Sequence, residues 1–404
     1  MSGATRKRDL RTGRSLWADS PGLGVPVRPL TQAMVCDVAI VGAGISGAFM
    51  AHELSRDHTV VVLDRRPPLT GSTIASTALL QWEIDLPLTA LSNRIGPDKA
   101  RRAWRRSRAA VDDLRRIVRE ERIRCGLKDK ATLYLAGDAY GRRALEAEAG
   151  ARSAIGLESV FLDQAAVRAQ FDIERTGAIV SQGSASGDPA RLAAGLLRRA
   201  QARGARVLSP VEVRQAAGDP EGATLLTDAG HAVRARHVVF CCGYEFPEDV
   251  PTPGAKIIST WALATRPRTP CPAWLRDTLV WEASDPYLYL RMGGDGRLIA
   301  GGEDEADPLA HADAGKLKRK SATIAGKLRR LLPGVDFEID YAWAGAFGES
   351  AAGLPTIAPV PAMDHAWAVM GFGGNGITYS VIASQVVAAA IRGGADPDAD
   401  LYRP

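Results

Sequence analysis

The chain has 404 residues, of which 46% are apolar and 24% charged, a balance that excludes a disordered polypeptide. Its length allows a large core and two domains, which we expect to be interleaved. The five cysteines show no pairing pattern, which favours a reducing compartment, and we expect no metal site.

The first 33 residues are basic, but no apolar segment of the signal-peptide type follows them. No apolar run in the sequence approaches the ~18 residues that a membrane span needs. We therefore expect a cytoplasmic protein with a loosely held basic N-terminal arm and without a membrane span.

The net charge of +5 raises the question of nucleic acid. Much of the excess is arginine in residues 100–124, where Trp104, Val111, Leu114 and Val118 recur at helical spacing. This pattern predicts an amphipathic helix with a solvated charged face. Because no aromatic-interleaved platform accompanies the charge, we expect no nucleic-acid partner.

A dinucleotide-binding βαβ unit is predicted by VCDVAIVGAGISGAFMAHELSRDHTVVVLDRR. Gly42, Gly44 and Gly47 form G-x-G-x-x-G between an apolar strand and a helix, and the next strand ends on Asp64. A carboxylate there can accept hydrogen bonds from ribose hydroxyls, which argues against NADP without separating NAD from FAD. Ile45, Ser46 and Arg65 belong to the same predicted site.

A second glycine-rich loop, VMGFGGNGITYS, opens a run that reads as a helix. Such a loop presents bare backbone N–H groups and the positive end of a helix dipole. A helix cap packed against a sheet is the alternative interpretation.

Four further segments, in order, resemble the D-amino-acid-oxidase-like superfamily of FAD-dependent oxidoreductases, which includes glycine, sarcosine and γ-glutamylputrescine oxidases. They are DRRPPLTGSTIASTALLQWEID, SGDPARLAAGLLRRAQARGARVLSPVEV, RHVVFCCG and YAWAGAFGESAAGLPTIAP, and the resemblance runs from about Trp17 to Ile391. It implies noncovalent FAD, because no cysteine or histidine of the flavin motifs suits covalent attachment.

The resemblance also assigns cofactor residues. The path from the diphosphate to the flavin ring would be lined by Ser72, Thr73, Ser76, Thr77, Leu80 and Gln81. Val211 would meet the adenine, and Cys242, Gly243 and Gly345 would lie near the flavin. The second glycine loop would point at the pyrimidine end of the ring through Gly373, Gly374, Asn375, Gly376, Ile377 and Thr378, and stabilise its charge after reduction.

Residues between Phe246 and Asp340 form short β-rich segments, as in the family's substrate domain. In PYLYLRM, alternation puts Tyr287, Tyr289 and Arg291 on one face, which lines a cavity or belongs to a half-exposed strand. Glu303 begins an acidic run, Glu303–Glu305, for which a solvated turn is favoured over attraction of a cationic amine.

Departures from the family pattern concern the substrate carboxylate. Relatives that hold one commonly place an arginine where Phe347 stands, and some use another where Gly374 stands. Ala352 replaces a common aspartate. An unpaired buried carboxylate is costly. We therefore expect a substrate without an α-carboxylate near the flavin, unless Arg291 restores the clamp.

The predicted fold is α/β: a Rossmann-type FAD-binding domain (residues 34–90, 155–245 and 341–392) interleaved with an antiparallel-sheet substrate domain (residues 91–154 and 246–340). Residues 1–33 form the arm and 393–404 a C-terminal tail. The expected reaction is oxidation of a C–N bond in a small amine, with hydride transfer to flavin N5 and hydrolysis of the imine. Tyr287, Tyr289, Arg291, Phe347 and Glu303 are the candidate catalytic residues.

Three alternatives stay open: an amino-acid oxidase or dehydrogenase that uses Arg291 as a carboxylate clamp, a flavoprotein that modifies a nucleic-acid base, and a redox-inactive FAD-binding protein. Oxygen or an electron carrier is the expected acceptor. The particular amine, the acceptor and the oligomeric state do not follow from the sequence.

Overall fold

A computed structural model describes residues 10–245, 256–350, 352–361 and 363–403. The helices are α1 (Ile45–Leu54), α2 (Leu88–Ile95), α3 (Pro97–Glu120), α4 (Arg142–Ala154), α5 (Gln164–Phe171), α6 (Pro189–Ala202), α7 (Ala314–Leu331) and α8 (Gly376–Ile391). The strands are β1 (Arg11–Arg14), β2 (Met34–Val41), β3 (Val60–Leu63), β4 (Leu79–Leu80), β5 (Lys128–Leu135), β6 (Ser159–Asp163), β7 (Gly177–Ser186), β8 (Arg206–Leu208), β9 (Val213–Asp219), β10 (Gly222–Thr227), β11 (Ala232–Gly243), β12 (Lys256–Thr265), β13 (Thr278–Glu282), β14 (Leu288–Met292), β15 (Leu298–Glu305), β16 (Ile339–Glu349), β17 (Thr356–Pro359) and β18 (Ala366–Met370).

The first sheet has the order β17-β18-β11-β2-β3-β8, with β10 paired to β11 and β9 paired to β10. The pairs from β18 to β8 are parallel. The apolar run of β2 is buried on both faces, as parallel strands covered by helices are. Helix α1 packs on α6 and α8. This is the predicted Rossmann-type unit.

The second sheet has ten strands in the order β1-β16-β12-β15-β14-β13-β5-β7-β4, with β6 paired to β7. Except for the parallel pair of β13 and β5, its pairs are antiparallel. Helix α7 packs against β12, β15 and β16. The predicted α/β fold with an antiparallel-rich second sheet is therefore confirmed.

Membership of the two sheets differs from the predicted domain ranges. Strands β6, β7 and β16 pair in the second sheet, although their residues were assigned to the FAD-binding domain. Backbone pairing decides membership here, since these strands continue the antiparallel ladder rather than the parallel one. The boundary predicted at residue 246 lies outside the described residues, and the domain ranges as a whole stay a prediction.

The N-terminal segment is not loosely held over residues 10–33. Strand β1 pairs with β16. Trp17 is buried and its indole Nε1 donates to the carbonyl of Ser76 at 2.6 Å. The expectation of a loose arm was based on charge alone. The burial of this aromatic side chain holds the segment against the fold. Residues 1–9 lie outside the described part of the chain.

One stretch corrects the expectation about apolar runs. Among the described residues, Gly373–Ile391 is long and apolar enough to cross a membrane by length and composition, and 67% of it is buried inside the fold. It comprises a short 3-10 turn followed by α8, which packs against α1 and α3.

Candidate active site

A large cavity lies where both glycine loops meet the second sheet. It is lined from the dinucleotide side by Val41, Gly42, Gly44, Ile45, Ser46, Leu63, Asp64, Arg65, Arg66, Val211, Glu212, Val213, Cys241, Cys242 and Gly243, and from the connecting loop by Leu69, Gly71, Ser72, Thr73, Ala75, Ser76, Thr77, Leu79, Gln81 and Asp85. The remaining lining residues are Leu10, Tyr244, Glu245, Thr260, Trp281, Tyr287, Tyr289, Gly345, Ala346, Phe347, Phe372, Gly373, Gly374, Asn375, Gly376 and Ile377. The cavity sits at the carboxyl ends of the parallel strands, where α/β folds bind ligands.

The first glycine loop requires its glycines. Gly42 has φ +111, and a Cβ on it would overlap the carbonyl oxygen of Cys241 on the neighbouring strand. A Cβ on Gly47 would overlap the carbonyl oxygen of Gly42. Gly47 does not line the cavity itself; it lets α1 start directly beneath the turn, so that the loop faces the cavity.

The connecting loop supplies hydroxyl groups beside the start of α1. The N–H of Ile45 donates to Thr73 Oγ1 at 2.9 Å. Ser72 Oγ is buried and has no hydrogen-bond partner among the described residues, although Ser72 lines the cavity. An orphaned hydroxyl next to a helix N-terminus suits a phosphate oxygen. The residues present therefore fit the diphosphate of a dinucleotide cofactor.

Asp64 lies at the end of β3, as predicted. Its two carboxylate oxygens accept hydrogen bonds from the backbone N–H groups of Ala43 at 2.7 Å and Arg66 at 2.8 Å. Burial raises the pKa of this carboxyl group, while the two N–H donors act in the opposite direction. Each oxygen keeps a second lone pair for a ribose hydroxyl.

The two arginines that follow Asp64 are held by acids. Arg66 makes two hydrogen bonds of 2.7 Å to the carboxylate of Glu245, and Arg65 is paired with the same carboxylate. Arg65 also lies 3.7 Å from Glu212. These are the lining cations of the described chain, and both are neutralised at this end of the cavity.

Asp85 lies against the second glycine loop, and the sequence analysis missed it. Its Oδ2 accepts a hydrogen bond from the N–H of Gly374 at 2.6 Å. A Cβ on Gly374 would come within 2.7 Å of Asp85 Oδ1, and one on Gly373 within 2.8 Å of Oδ2, so the glycines make room for this carboxylate. Asp85 lines the cavity and is exposed there.

The surroundings of Asp85 disfavour its charge. Desolvation raises its pKa to about 6, the Gly374 N–H opposes that rise, and the charge of Glu349 adds to it. A cation placed in this part of the cavity would relieve the penalty.

The tyrosine pair on β14 faces the cavity, as predicted. The rings of Tyr287 and Tyr289 lie 5.6 Å apart, while Leu288 and Leu290 are buried on the opposite face. Desolvation raises the pKa of the Tyr287 hydroxyl well above its ordinary value, and the charge of Asp304 adds to that. Desolvation also raises the pKa of Tyr289, so both hydroxyls stay protonated, and that of Tyr287 donates to Asp304.

Asp304, rather than Glu303, is the acid of β15 that belongs with this pair. Desolvation raises its pKa to about 6, while hydrogen bonds from the side chains of Thr260 and Tyr287 act against the rise. Glu303 points to the opposite face, where Lys327 lies 2.6 Å away and Lys320 3.6 Å away, both on α7. Glu303 does not line the cavity as predicted, because the pairing of β15 with β12 is irregular at this point and Glu303 adopts φ +64, which breaks the regular alternation of the strand.

Arg291 is also absent from the cavity lining. It is 2% exposed, and its guanidinium donates to the carbonyl oxygens of Thr77 at 2.7 Å and Gly187 at 3.0 Å. Arg291 lies on the same face of β14 as Tyr289 but further along the strand. Thr77 forms the wall between Arg291 and the cavity. The structure does not bring it to a position where it clamps a substrate in this cavity.

Most of the other predicted residues line the cavity, including Phe347, Val211, Cys242, Gly243 and Gly345. Leu80 and Thr378 do not. Leu80 is buried beside Leu79, which does line the cavity, and Thr378 donates its hydroxyl to the carbonyl of Gln81 at 3.0 Å.

The missed lining residues include Arg66, Asp85, Thr260, Trp281 and Phe372. The acidic and aromatic character of QWEID was the available signal for Asp85.

Comparison with known proteins agrees with this site. The chain matches the model of the DAO family, described as FAD dependent oxidoreductase, over residues 37–390. The chain belongs to this family, and it is an FAD-dependent oxidoreductase.

Two curated relatives resemble nearly the whole chain. The γ-glutamylputrescine oxidoreductase of Escherichia coli K12 is 24% identical over 95% of this chain and 89% of its own length. A putative Rieske 2Fe-2S iron-sulfur protein, YhfW, of Bacillus subtilis 168 is 22% identical over 93% of this chain and 72% of its own. Among solved structures, glycine oxidase from Geobacillus kaustophilus superposes with a TM-score of 0.77 at 22% identity, over 90% of this chain and 96% of that one.

Proposed function

We propose that the protein oxidises the C–N bond of a small amine that carries no carboxylate beside the reacting carbon. The observation that carries this proposal is the distribution of charge in the cavity. Its lining cations, Arg65 and Arg66, are held by Glu245, whereas the part beside the second glycine loop presents the carboxylate of Asp85. A substrate carboxylate would meet a like charge there, and an ammonium would meet an opposite one.

FAD, held noncovalently along the two glycine loops, would supply the chemistry by accepting a hydride, which carries two electrons, from the substrate. The residues orient and protect the substrate. Tyr287 and Tyr289 offer aromatic faces, and Phe347 and Trp281 close the apolar sides. Aromatic faces of this kind attract ammonium groups.

Asp85 has a defined role in this proposal. Its Oδ2 is occupied by the Gly374 N–H, which leaves Oδ1 to accept a hydrogen bond from the substrate ammonium. The amine must lose that proton before its α-carbon gives up a hydride; the Asp85 carboxylate holds the nitrogen in place and takes up the proton at Oδ1. The resulting imine takes up water and gives an aldehyde or ketone and the released amine or ammonia.

The runner-up, an amino-acid oxidase or dehydrogenase that uses Arg291, loses support because Arg291 is bonded to backbone carbonyls outside the cavity lining. Glycine oxidase is similar in fold, and amino acids are therefore included among the substrates of the test below. A cytoplasmic location, and oxygen or an electron carrier as acceptor, complete the proposal. Modification of a nucleic-acid base has only the basic helix α3 in its favour. A redox-inactive role has no added observation in its favour.

The proposal is tested by turnover with matched pairs of substrates that differ only in the α-carboxylate: putrescine and ornithine, cadaverine and lysine, and dimethylamine and sarcosine. Aldehyde formation and amine or ammonia release are measured with oxygen and, separately, with an artificial electron-accepting dye. Turnover of the amines with one aldehyde per amine released supports the proposal, and the better acceptor separates oxidase from dehydrogenase.

Faster turnover of ornithine, lysine and sarcosine than of their partners would overturn the proposed substrate class. A useful control repeats the amine assay with and without an equimolar amount of a short RNA or DNA oligonucleotide. A nucleic-acid-modifying enzyme would lose amine turnover to competition from the oligonucleotide.

A further inference from the structure

A second concavity lies on the far side of Thr77 and Arg291 from the main cavity. We call it the basic groove; its walls are formed by residues 16–21, 125–130, 186–191, 268–277 and 291–299 together with Tyr341. Seven of its lining side chains are cationic: Lys128, Lys130, Arg191, Arg268, Arg276, Arg291 and Arg297. Four are acidic: Asp19, Asp188, Asp277 and Asp295.

Three of the four acids are already engaged. Asp19 accepts a hydrogen bond from the Tyr341 hydroxyl at 2.8 Å. Asp188 caps α6, accepting from two backbone N–H groups at 2.9 Å. Asp295 is paired with Arg297 at 2.7 Å. The groove therefore keeps an excess of positive charge after its internal pairs are counted.

Two of the cations are buried without an acidic partner. Lys130 is 5% exposed and Arg291 2% exposed. The Lys130 ammonium donates to the carbonyl of Arg276, and Arg291 donates to carbonyl oxygens as described above. No carboxylate of the described chain forms an ion pair with either group. Asp277 acts on Lys130, and Asp188 and Asp295 on Arg291, without forming an ion pair. Removing two cations from water without a directly paired carboxylate is costly, and a bound anion would offset that cost.

The electrostatics of Lys130 agree with this geometry. Desolvation lowers its pKa; nearby Asp277 acts in the opposite direction, and the charges of Arg291 and Lys128 lower it further. Lys130 and Arg291 are therefore the two buried cations of the groove, with Lys128 near enough to act on Lys130. Around them, Lys128, Arg191, Arg268 and Arg276 have no side-chain ion pair within the described ranges, and Lys128, Arg268 and Arg276 are exposed.

We propose that the basic groove binds a small, multiply charged anion that carries phosphate or carboxylate oxygens. Arginine and lysine together suit such oxygens, since guanidinium binds two at once and ammonium acts as a point charge. The occupant is small because Lys130 and Arg291 lie at the floor, where a compact group reaches them and the surface of a protein or a nucleic-acid duplex does not.

Arg291 connects this groove to the active-site cavity. Its Nε donates to the carbonyl of Thr77, and Thr77 lines the cavity assigned to FAD. An anion in the groove that accepts hydrogen bonds from the Arg291 guanidinium weakens or redirects the bond to Thr77. Binding in the groove therefore changes the surroundings of the cofactor at Thr77. This link does not depend on the proposed substrate class.

The experiment uses the full-length, FAD-loaded protein and measures binding of pyrophosphate and of citrate by isothermal titration calorimetry, with the flavin absorbance recorded in parallel. The test variant is Arg268→Ala/Arg276→Ala, which removes two exposed groove cations. The matched control is Arg142→Ala/Arg143→Ala, which removes two exposed arginines from the start of α4. Lys130→Met is a second variant that removes a buried groove cation.

We expect saturable binding of pyrophosphate that weakens about tenfold in the test variant and is unchanged in the control. Binding of citrate as well assigns the site to polyanions in general, and binding of pyrophosphate alone assigns it to phosphates; both support the proposal. No binding, or equal loss in both double variants, overturns it. Capture of an RNA or DNA oligonucleotide without pyrophosphate binding overturns it in favour of a macromolecular partner. Binding that leaves the flavin absorbance unchanged overturns the link through Arg291.

Discussion

The two ends of the main cavity are built in different ways. The dinucleotide end is formed by one continuous stretch, from β2 through the glycine loop and α1 to Asp64, and its charges are paired within the fold. The substrate end is assembled from separate segments: Asp85 meets Gly374, 289 residues further along the chain, and Tyr287 meets Asp304 of the neighbouring strand β15. The first end is prescribed by short-range geometry, whereas the second leaves the carboxyl group of Asp85, with its raised pKa, facing the cavity.

This difference separates binding of the cofactor from choice of the substrate. Gly42 and Gly47 at the dinucleotide end leave no room for a side chain, so changes there act on whether FAD is held at all. Changes at the substrate end leave the cofactor in place and alter which substrate charge the cavity favours. The predictions below test that separation.

The largest effect is expected for Gly47→Val. A side chain on Gly47 would overlap the Gly42 carbonyl and push α1 away from the loop. We expect purified protein without bound FAD, measured as the ratio of absorbance at the flavin band to that of the protein. Gly24→Ala is the matched control, since a Cβ there meets nothing within 4 Å. FAD retained in Gly47→Val at the level of the control would contradict the assignment of the loop.

Asp85→Asn is expected to keep FAD and to lose selection for cationic amines. Removing one charge of a hydrogen-bonded pair costs about 2 kcal/mol, which corresponds to about a thirtyfold drop in kcat/KM for an amine substrate. Asp98→Asn, at an exposed position of α3, is the control. A drop in FAD content rather than in kcat/KM would show that Asp85 serves the cofactor end instead.

The raised pKa values of Asp85 and Asp304, each about 6, predict a pH dependence. Because both groups are charged only above that value, kcat/KM for an amine should rise as pH increases through about 6, and Asp85→Asn should remove part of the rise. In FAD-free protein the folded state holds these protons more tightly than the unfolded state. Its free energy of unfolding should therefore fall as pH rises from about 4 to about 6. A flat kcat/KM profile across this range would contradict the assignment.

Arg291→Met should change stability more than selectivity. The substitution leaves the carbonyl groups of Thr77 and Gly187 without their donor, which costs about 2 kcal/mol of unfolding free energy. Thermal denaturation measures that loss, and the ratio of amine to amino-acid turnover should stay as in the unaltered protein. A shift of the ratio away from amino acids would restore Arg291 as a carboxylate clamp.

How far the sequence predicts the molecule follows the same division. Gly42, Gly44 and Asp64 were predictable because spacing along one βαβ unit fixes their positions in space. The partnership of Asp85 with Gly374 was not, because no local pattern records which distant loops meet. Glu303 and Asp304 show the limit most sharply: these adjacent acids point to opposite faces, and the irregular pairing at Glu303, which no local sequence pattern records, decides which of them meets Tyr287.

The most direct test of the amine assignment is the rate of flavin bleaching under anaerobic conditions, with each amine of the matched pairs compared with its α-carboxylated partner. The account predicts that at least one amine bleaches the flavin about 100-fold faster than its partner, since the partner brings a carboxylate against Asp85. Faster bleaching by the carboxylated members would contradict it and show that the substrate end of the cavity recognises an amino acid.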